Sequence, residues 1–118
     1  MKNLADQACT ACRPGSPTVP NDEMTALLSQ LPQWQLQHDN DIPQLRRSYR
    51  FPDFRSALAF TGQVGELAEA AQHHPAILTE WGRVTLSWWT HTIGGLHQND
   101  FIMAARCDRL YPEEFRQS

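Results

Sequence analysis

The chain is short of most features that announce a function. It has three cysteines in 118 residues, Cys9 and Cys12 together in CTAC and Cys107 far away. An odd number so arranged makes a poor disulfide framework and fits reduced thiols. The C-x-x-C spacing does not complete a tetrahedral zinc site either, because only one further thiol exists. Lysine and arginine number 10 against 13 acids, for a net charge of -3, and they are scattered. No basic patch is left to grip nucleic acid or an anionic membrane. No apolar run could cross a bilayer, and MKNLADQACTACRPGSP lacks the continuous apolar segment of a secretory signal, so a cytoplasmic location is expected. There is no G-x-S-x-G serine context, no H-E-x-x-H, and no glycine-rich nucleotide loop beyond Gly94-Gly95.

What remains is an ordinary globular composition, 41% apolar, long enough for one core and too short for two domains. RPGSPTVP breaks regular structure, so residues 1–20 read as a flexible N-terminal tail or an arm, and residues 21–118 as the single domain. Asn21 is placed to cap a short helix that Pro32 stops. Alternation in WQLQ and LRRSYRF predicts two strands joined by HDNDIP, a loop longer than the tight two-residue turns. A long helix begins near Asp53, with Phe54, Leu58, Thr61 and Ala68 on one stripe and Ala57, Val64 and Gly65 beside it. Pro75 stops it, so that His73 occupies the last turn and His74 leaves the helix.

AILTEW and RVTLSWWTH form a second strand pair about Gly82, with Val84, Leu86 and Trp88 on one face, and His91 at the strand end. A last helix runs from about Gln98 to Tyr111, with Phe101, Ala104, Ala105 and Leu110 inward. The order αββαββα argues for an α+β fold, a four-stranded antiparallel sheet with helices on one face. Such a sheet leaves area that a second copy could cover.

Five histidines are the natural proton carriers near neutral pH. His38 lies in a polar turn and His97 before the last helix, which suits solvation or capping. His73, His74 and His91 leave a helix end and a strand end, which an antiparallel core can bring to one pocket. Glu69 stands four residues before His73, where a carboxylate can orient an imidazole. On these grounds metal-free acid/base chemistry on a small polar substrate stands beside a His/Glu metal site and a structural or interaction domain.

The combination Glu69-x-x-x-His73-His74-Pro75, Thr90-His91, Gly94-Gly95-Leu96 and Asp100, with Trp34 ahead of the first hairpin, resembles the pterin-4a-carbinolamine dehydratases over about Asn21 to Leu110. The resemblance implies dehydration of 4a-hydroxytetrahydrobiopterin to the quinonoid dihydropterin, after an aromatic amino acid hydroxylase has used the pterin. It implies a homodimer or homotetramer and no metal or organic cofactor. His73 and His91 would be the acid/base pair and His74 a pterin ligand. Glu69 would support His73, while Asp100, Trp34, Pro75 and Thr90 would shape or support the site. The resemblance also covers non-catalytic dimerisation partners of transcription regulators and assembly factors. Where family members often carry Ser or Thr after Gly-Leu this chain has His97, so the cap of the last helix is expected to come from a His or Asn side chain or from water.

Overall fold

Pro52 and Asp53 fix where the longest helix starts. Asp53 is extended, and its carboxylate accepts the Ser56 N–H at 2.7 Å, which caps α2 (Phe54–Ala71). The structure, a computed structural model, describes residues 4–7 and 18–115. Cys9 and Cys12 lie outside them. In chain order the remaining elements are α1 (Asn21–Ser29), β1 (Gln35–Asp39), β2 (Ile42–Arg50), β3 (Ala76–Glu80), β4 (Arg83–Trp88) and α3 (Gln98–Leu110), the αββαββα order expected. At α1 the capping position falls on Pro20, with no side-chain bond, and Asn21 is the first helical residue rather than the cap. Proline at this entrance forfeits little, since the first helical N–H groups have no intrahelical partner.

The four strands pair antiparallel in the order β1-β2-β4-β3. The first hairpin is tighter than its sequence suggested. Asp39 pairs with Ile42, so only Asn40 and Asp41 turn the chain, at φ of 53° and 65°. Asn and Asp tolerate that left-handed conformation, and two such residues match the twist of the flanking strands. In the second hairpin Gly82 has φ of 73°, and a Cβ there would stand 3.1 Å from the Phe51 carbonyl oxygen. The Phe51 N–H in turn donates to the Gly82 carbonyl at 2.9 Å, locking the hairpin to the end of β2.

Alternation sorts the two faces. Leu45, Tyr49, Val84, Leu86 and Trp88 point inward and are fully buried. Arg46, Ser48, Thr85 and Ser87 lie on the other face, where Arg46 Nε donates to Ser87 Oγ at 2.9 Å and the Ser48 and Thr85 hydroxyls meet at 2.9 Å. Burial of each large apolar side chain stabilises by roughly 1.5–3 kcal/mol, so the inward face and the helices on it make the core.

From α2 the core receives Ala57, Phe60, Val64 and Ala68. This corrects the expected stripe. Phe60, not Phe54, is the aromatic anchor, while Phe54 and Leu58 are 44% and 53% exposed on the outer side. Helix α3 is buried more widely than an amphipathic stripe allows, from Asn99 through Ala104 and again at Cys107, with Ala105 and Leu110 only partly covered. One cause is the N-terminal segment. Leu4–Asp6 forms a 3-10 turn with Leu4 buried, Arg106 donates to the Ala5 and Gln7 carbonyls, and Arg109 pairs with Asp6 at 2.8 Å.

Candidate active site

The site starts from how α2 ends. Helix geometry stops at Ala71, and Gln72 takes the left-handed conformation at φ of 54°. Both Gln72 and His73 direct their N–H groups back to the Ala68 carbonyl, a closure that satisfies carbonyls the helix would otherwise leave open. Both histidines therefore stand outside the helix, and His73 is not in its last turn as the sequence suggested. The reversal at Gln72 turns the His73 ring inward, where its side chain is 11% exposed, and leaves His74 outward at 53%. Pro75 then fixes an extended entry into β3.

Asp100 receives His73. Its carboxylate is fully buried, and Oδ1 lies 2.6 Å from His73 Nε2. Oδ2 accepts the Thr90 hydroxyl at 2.8 Å and the His97 backbone N–H at 2.9 Å. A buried carboxylate needs such donors. Since an ionised carboxylate can only accept, the proton in the first contact sits on His73 Nε2, which leaves Nδ1 as the atom able to take or give a proton. Asp100 occupies the third position of α3, and its bond to the His97 N–H is half of a capping box. His97 Nδ1 supplies the other half by accepting the Asn99 N–H at 3.0 Å, so a histidine does the capping work in place of a hydroxyl. Thr90 is held for its part by paired bonds with Gly95, at 2.8 and 3.4 Å, with Gly94 left-handed at φ of 60° between them.

His91 follows Thr90 directly. It does not end a strand as expected, because β4 stops at Trp88. Instead it opens a short 3-10 turn, His91–Ile93, exposed, with its ring 4.5 Å from that of Trp89. The chain thus brings His73, Asp100 and Thr90 into direct contact and sets His91 beside them in sequence. Glu69 is a correction. Its carboxylate lies 2.7 Å from His74 Nε2, not against His73, because the helix on which a spacing of four residues would align them has already ended. Both members of that pair are exposed, which makes it adjustable and of small worth to stability.

Trp34, expected to shape or support the site, makes its contacts with other residues. Its indole N–H bonds Asp108 of α3 at 3.0 and 3.1 Å, and its ring meets Tyr49 edge-on. Asp108 also accepts from Arg47 at 2.7 Å and from the Tyr49 hydroxyl, while the Arg47 guanidinium lies 4.2 Å over the Tyr49 ring. Trp34 therefore belongs to a polar cluster that ties the chain just ahead of β1 to β2 and α3. Burial and, next, the Asp108 charge hold the Tyr49 phenol well above its usual pKa, and the same two causes push the Cys107 thiol up to about 12. No sequence spacing links residues 34, 47, 49 and 108. Among the described residues, no three of His, Cys, Asp and Glu converge so that they could hold a metal ion, and no helix is long and apolar enough to cross a membrane.

A buried acid orienting one imidazole, with a second imidazole next to its Thr90 partner in the chain and a third exposed next to the first, is the kind of arrangement that acid/base chemistry needs. Comparison with known proteins identifies the family. The family model described as Pterin 4 alpha carbinolamine dehydratase matches residues 17–110. A protein of Microcystis aeruginosa named "Putative pterin-4-alpha-carbinolamine dehydratase" is 53% identical over 97% of this chain and 98% of its own. A solved "transcriptional coactivator/pterin dehydratase" from Brucella melitensis superposes with a TM-score of 0.73 at 28% identity, covering 81% of this chain and all of the other. A pterin dehydratase-like protein identified as a RuBisCO assembly factor in the alpha-carboxysome gives 0.58 at 25% identity, over 67% of this chain and 89% of that one. The chain belongs to the pterin-4-alpha-carbinolamine dehydratase family.

Proposed function

We propose that the protein dehydrates 4a-hydroxytetrahydrobiopterin. The C4a–O bond breaks with protonation of the departing hydroxyl, the N5 proton is lost, and quinonoid dihydropterin and water result. His73 and His91 are the acid/base pair, and His74, adjusted by Glu69, binds and orients the pterin. The observation that carries this reading is the buried Asp100 carboxylate 2.6 Å from His73 Nε2, which dedicates the other ring nitrogen to the substrate. General acid/base help of about 10²–10⁴-fold suits a dehydration that already runs slowly unaided. The reaction calls for neither a metal nor an organic cofactor.

In this reading the protein recycles the pterin of an aromatic amino acid hydroxylase in the cytoplasm. It works as a homodimer or homotetramer, for which the exposed Phe54 and Leu58 on the outer side of α2 supply apolar surface. A sedimentation profile of monomer alone would count against the assembly. The two solved relatives, one described as a coactivator and one as an assembly factor, motivate a second reading in which the same fold serves as a non-catalytic interaction module. An assay coupled to a hydroxylase separates the two. Purified protein is expected to speed formation of the quinonoid product, with a chelator having no effect, and His73→Ala and His91→Ala are each expected to slow it while leaving the fold intact. Full activity in the double variant would falsify the site.

A further inference from the structure

Trp88 stacks parallel to His73. The two rings are 5.5 Å apart and only 8° from parallel, and Trp88 is fully buried at the end of β4, opposite Leu45. An indole in this place carries a penalty that an aliphatic residue would avoid. Its buried Nε1–H has no ordinary hydrogen-bond partner among the described residues, and what faces it is the Cys107 thiol, whose charged form that contact favours. A thiol is in any case a weak acceptor. A buried donor left with so weak a partner calls for an explanation. Packing alone does not supply one, since leucine or methionine fills a core position without a polar atom.

The flat face does supply one. The bond to Asp100 fixes one atom of the His73 ring, Nε2, but a ring pinned at one atom can still tilt about it. A parallel aromatic surface at stacking distance removes that tilt. An imidazole held at one edge and across one face has a single direction left for Nδ1. We propose that Trp88 is a positioning residue for His73, and that together with Asp100 it sets the line along which His73 Nδ1 meets the substrate proton. The inference rests on the acid/base reading of His73. It adds that β4, through Trp88, orients the ring across one face while α3, through Asp100, holds its edge.

Two substitutions separate a flat face from mere bulk. Trp88→Phe and Trp88→Met both shrink the side chain and both delete the indole N–H, but only phenylalanine keeps a surface on which an imidazole can lie. The first readout is the nuclear magnetic resonance signal of the His73 Nε2 proton bonded to Asp100, assigned by its loss in Asp100→Asn. The signal is expected in wild type and Trp88→Phe and is expected to broaden or vanish in Trp88→Met. The second readout is turnover. Trp88→Met is expected to lower kcat about tenfold with KM little changed, as misplacement of a reacting group does, and Trp88→Phe to recover most of that loss.

If Trp88→Met does not fold, Trp88→Leu takes its place in both measurements. A folded Met or Leu variant that keeps the sharp signal and the wild-type kcat overturns the proposal, and so does a Phe variant as impaired as the Met variant. Should wild type lack dehydratase activity altogether, the proton signal still decides whether Trp88 positions the ring, so failure of the proposed function is told apart from failure of this inference.

Discussion

His73 Nε2 and Asp100 Oδ1, 27 residues apart in the chain, meet at 2.6 Å, and the acid in that contact also closes the first turn of α3 through the His97 N–H at 2.9 Å. One carboxylate thus serves a helix end and an imidazole. Replacing it by an amide of the same shape turns one acceptor oxygen into a donor. Asp100→Asn is expected to lower kcat by about 10²-fold or more and to cost roughly 1–3 kcal/mol of stability through the donors it leaves unpaired. Steady-state kinetics and urea denaturation of one preparation check both.

The rim pair behaves differently. Glu69 and His74 are mostly exposed, so Glu69→Gln is expected to change stability by less than about 0.5 kcal/mol. Because Glu69 contacts His74 and not His73, its kinetic effect is expected to follow that of His74→Ala, a rise in KM with kcat nearly kept. A fall in kcat like that of His73→Ala would show that the acid acts on the inner imidazole.

Asp108 offers a contrast within the same helix. It gathers Trp34, Arg47 and Tyr49, none of which belongs to the proposed acid/base pair. Asp108→Ala strands the partly buried Arg47 cation and is expected to destabilise by about 3 kcal/mol, within the range for breaking a buried pair. Turnover per folded molecule, measured well below the melting temperature, is expected to stay near wild type.

The cap of α2 predicts a dependence on acid. The Ser56 backbone N–H holds the Asp53 carboxyl below its ordinary value. A group whose folded pKa is depressed contributes stability above its unfolded pKa, about 3.9, and loses it as pH falls through the lower folded value. The difference in melting temperature between wild type and Asp53→Ala is therefore expected to be constant from pH 5 to 7 on this basis and to narrow below about pH 4.

Cys107 is expected to resist thiol reagents. With burial and the Asp108 charge lifting its pKa to about 12, almost no thiolate exists at pH 8 in the folded protein. Alkylation followed by peptide mapping is expected to label Cys107 only after denaturant is added. Labelling at a free-thiol rate in the native protein would contradict its burial against β4.

Much of this fold is written locally. Alternation in residues 45–51 and 84–88 assigns the inward faces, the prolines and Gly82 mark the breaks, and Asp53 announces its helix. What escapes local reading depends on one backbone reversal or on distant partners. The helical register that pairs Glu69 with His73 holds only if the helix continues, and the left-handed Gln72 ends it early, so the acid meets His74 instead. Asn40-Asp41 looks like part of a longer loop until both residues are seen to carry positive φ. Trp34 sits next to β1 in the chain, yet its partner is Asp108, 74 residues on. Trp88 could be read as an inward strand residue, but nothing in an alternating pattern says that an imidazole lies on its face.

The double duty of Asp100 has a bearing on how the molecule can loosen. When the first turn of α3 frays, the His97 amide leaves Oδ2 and the carboxylate that grips His73 loses an anchor in the same motion. Breathing at that helix end and release of the imidazole are then one event, and deuterium uptake at the amides of His97 and Asn99 becomes a clock for how often His73 comes loose.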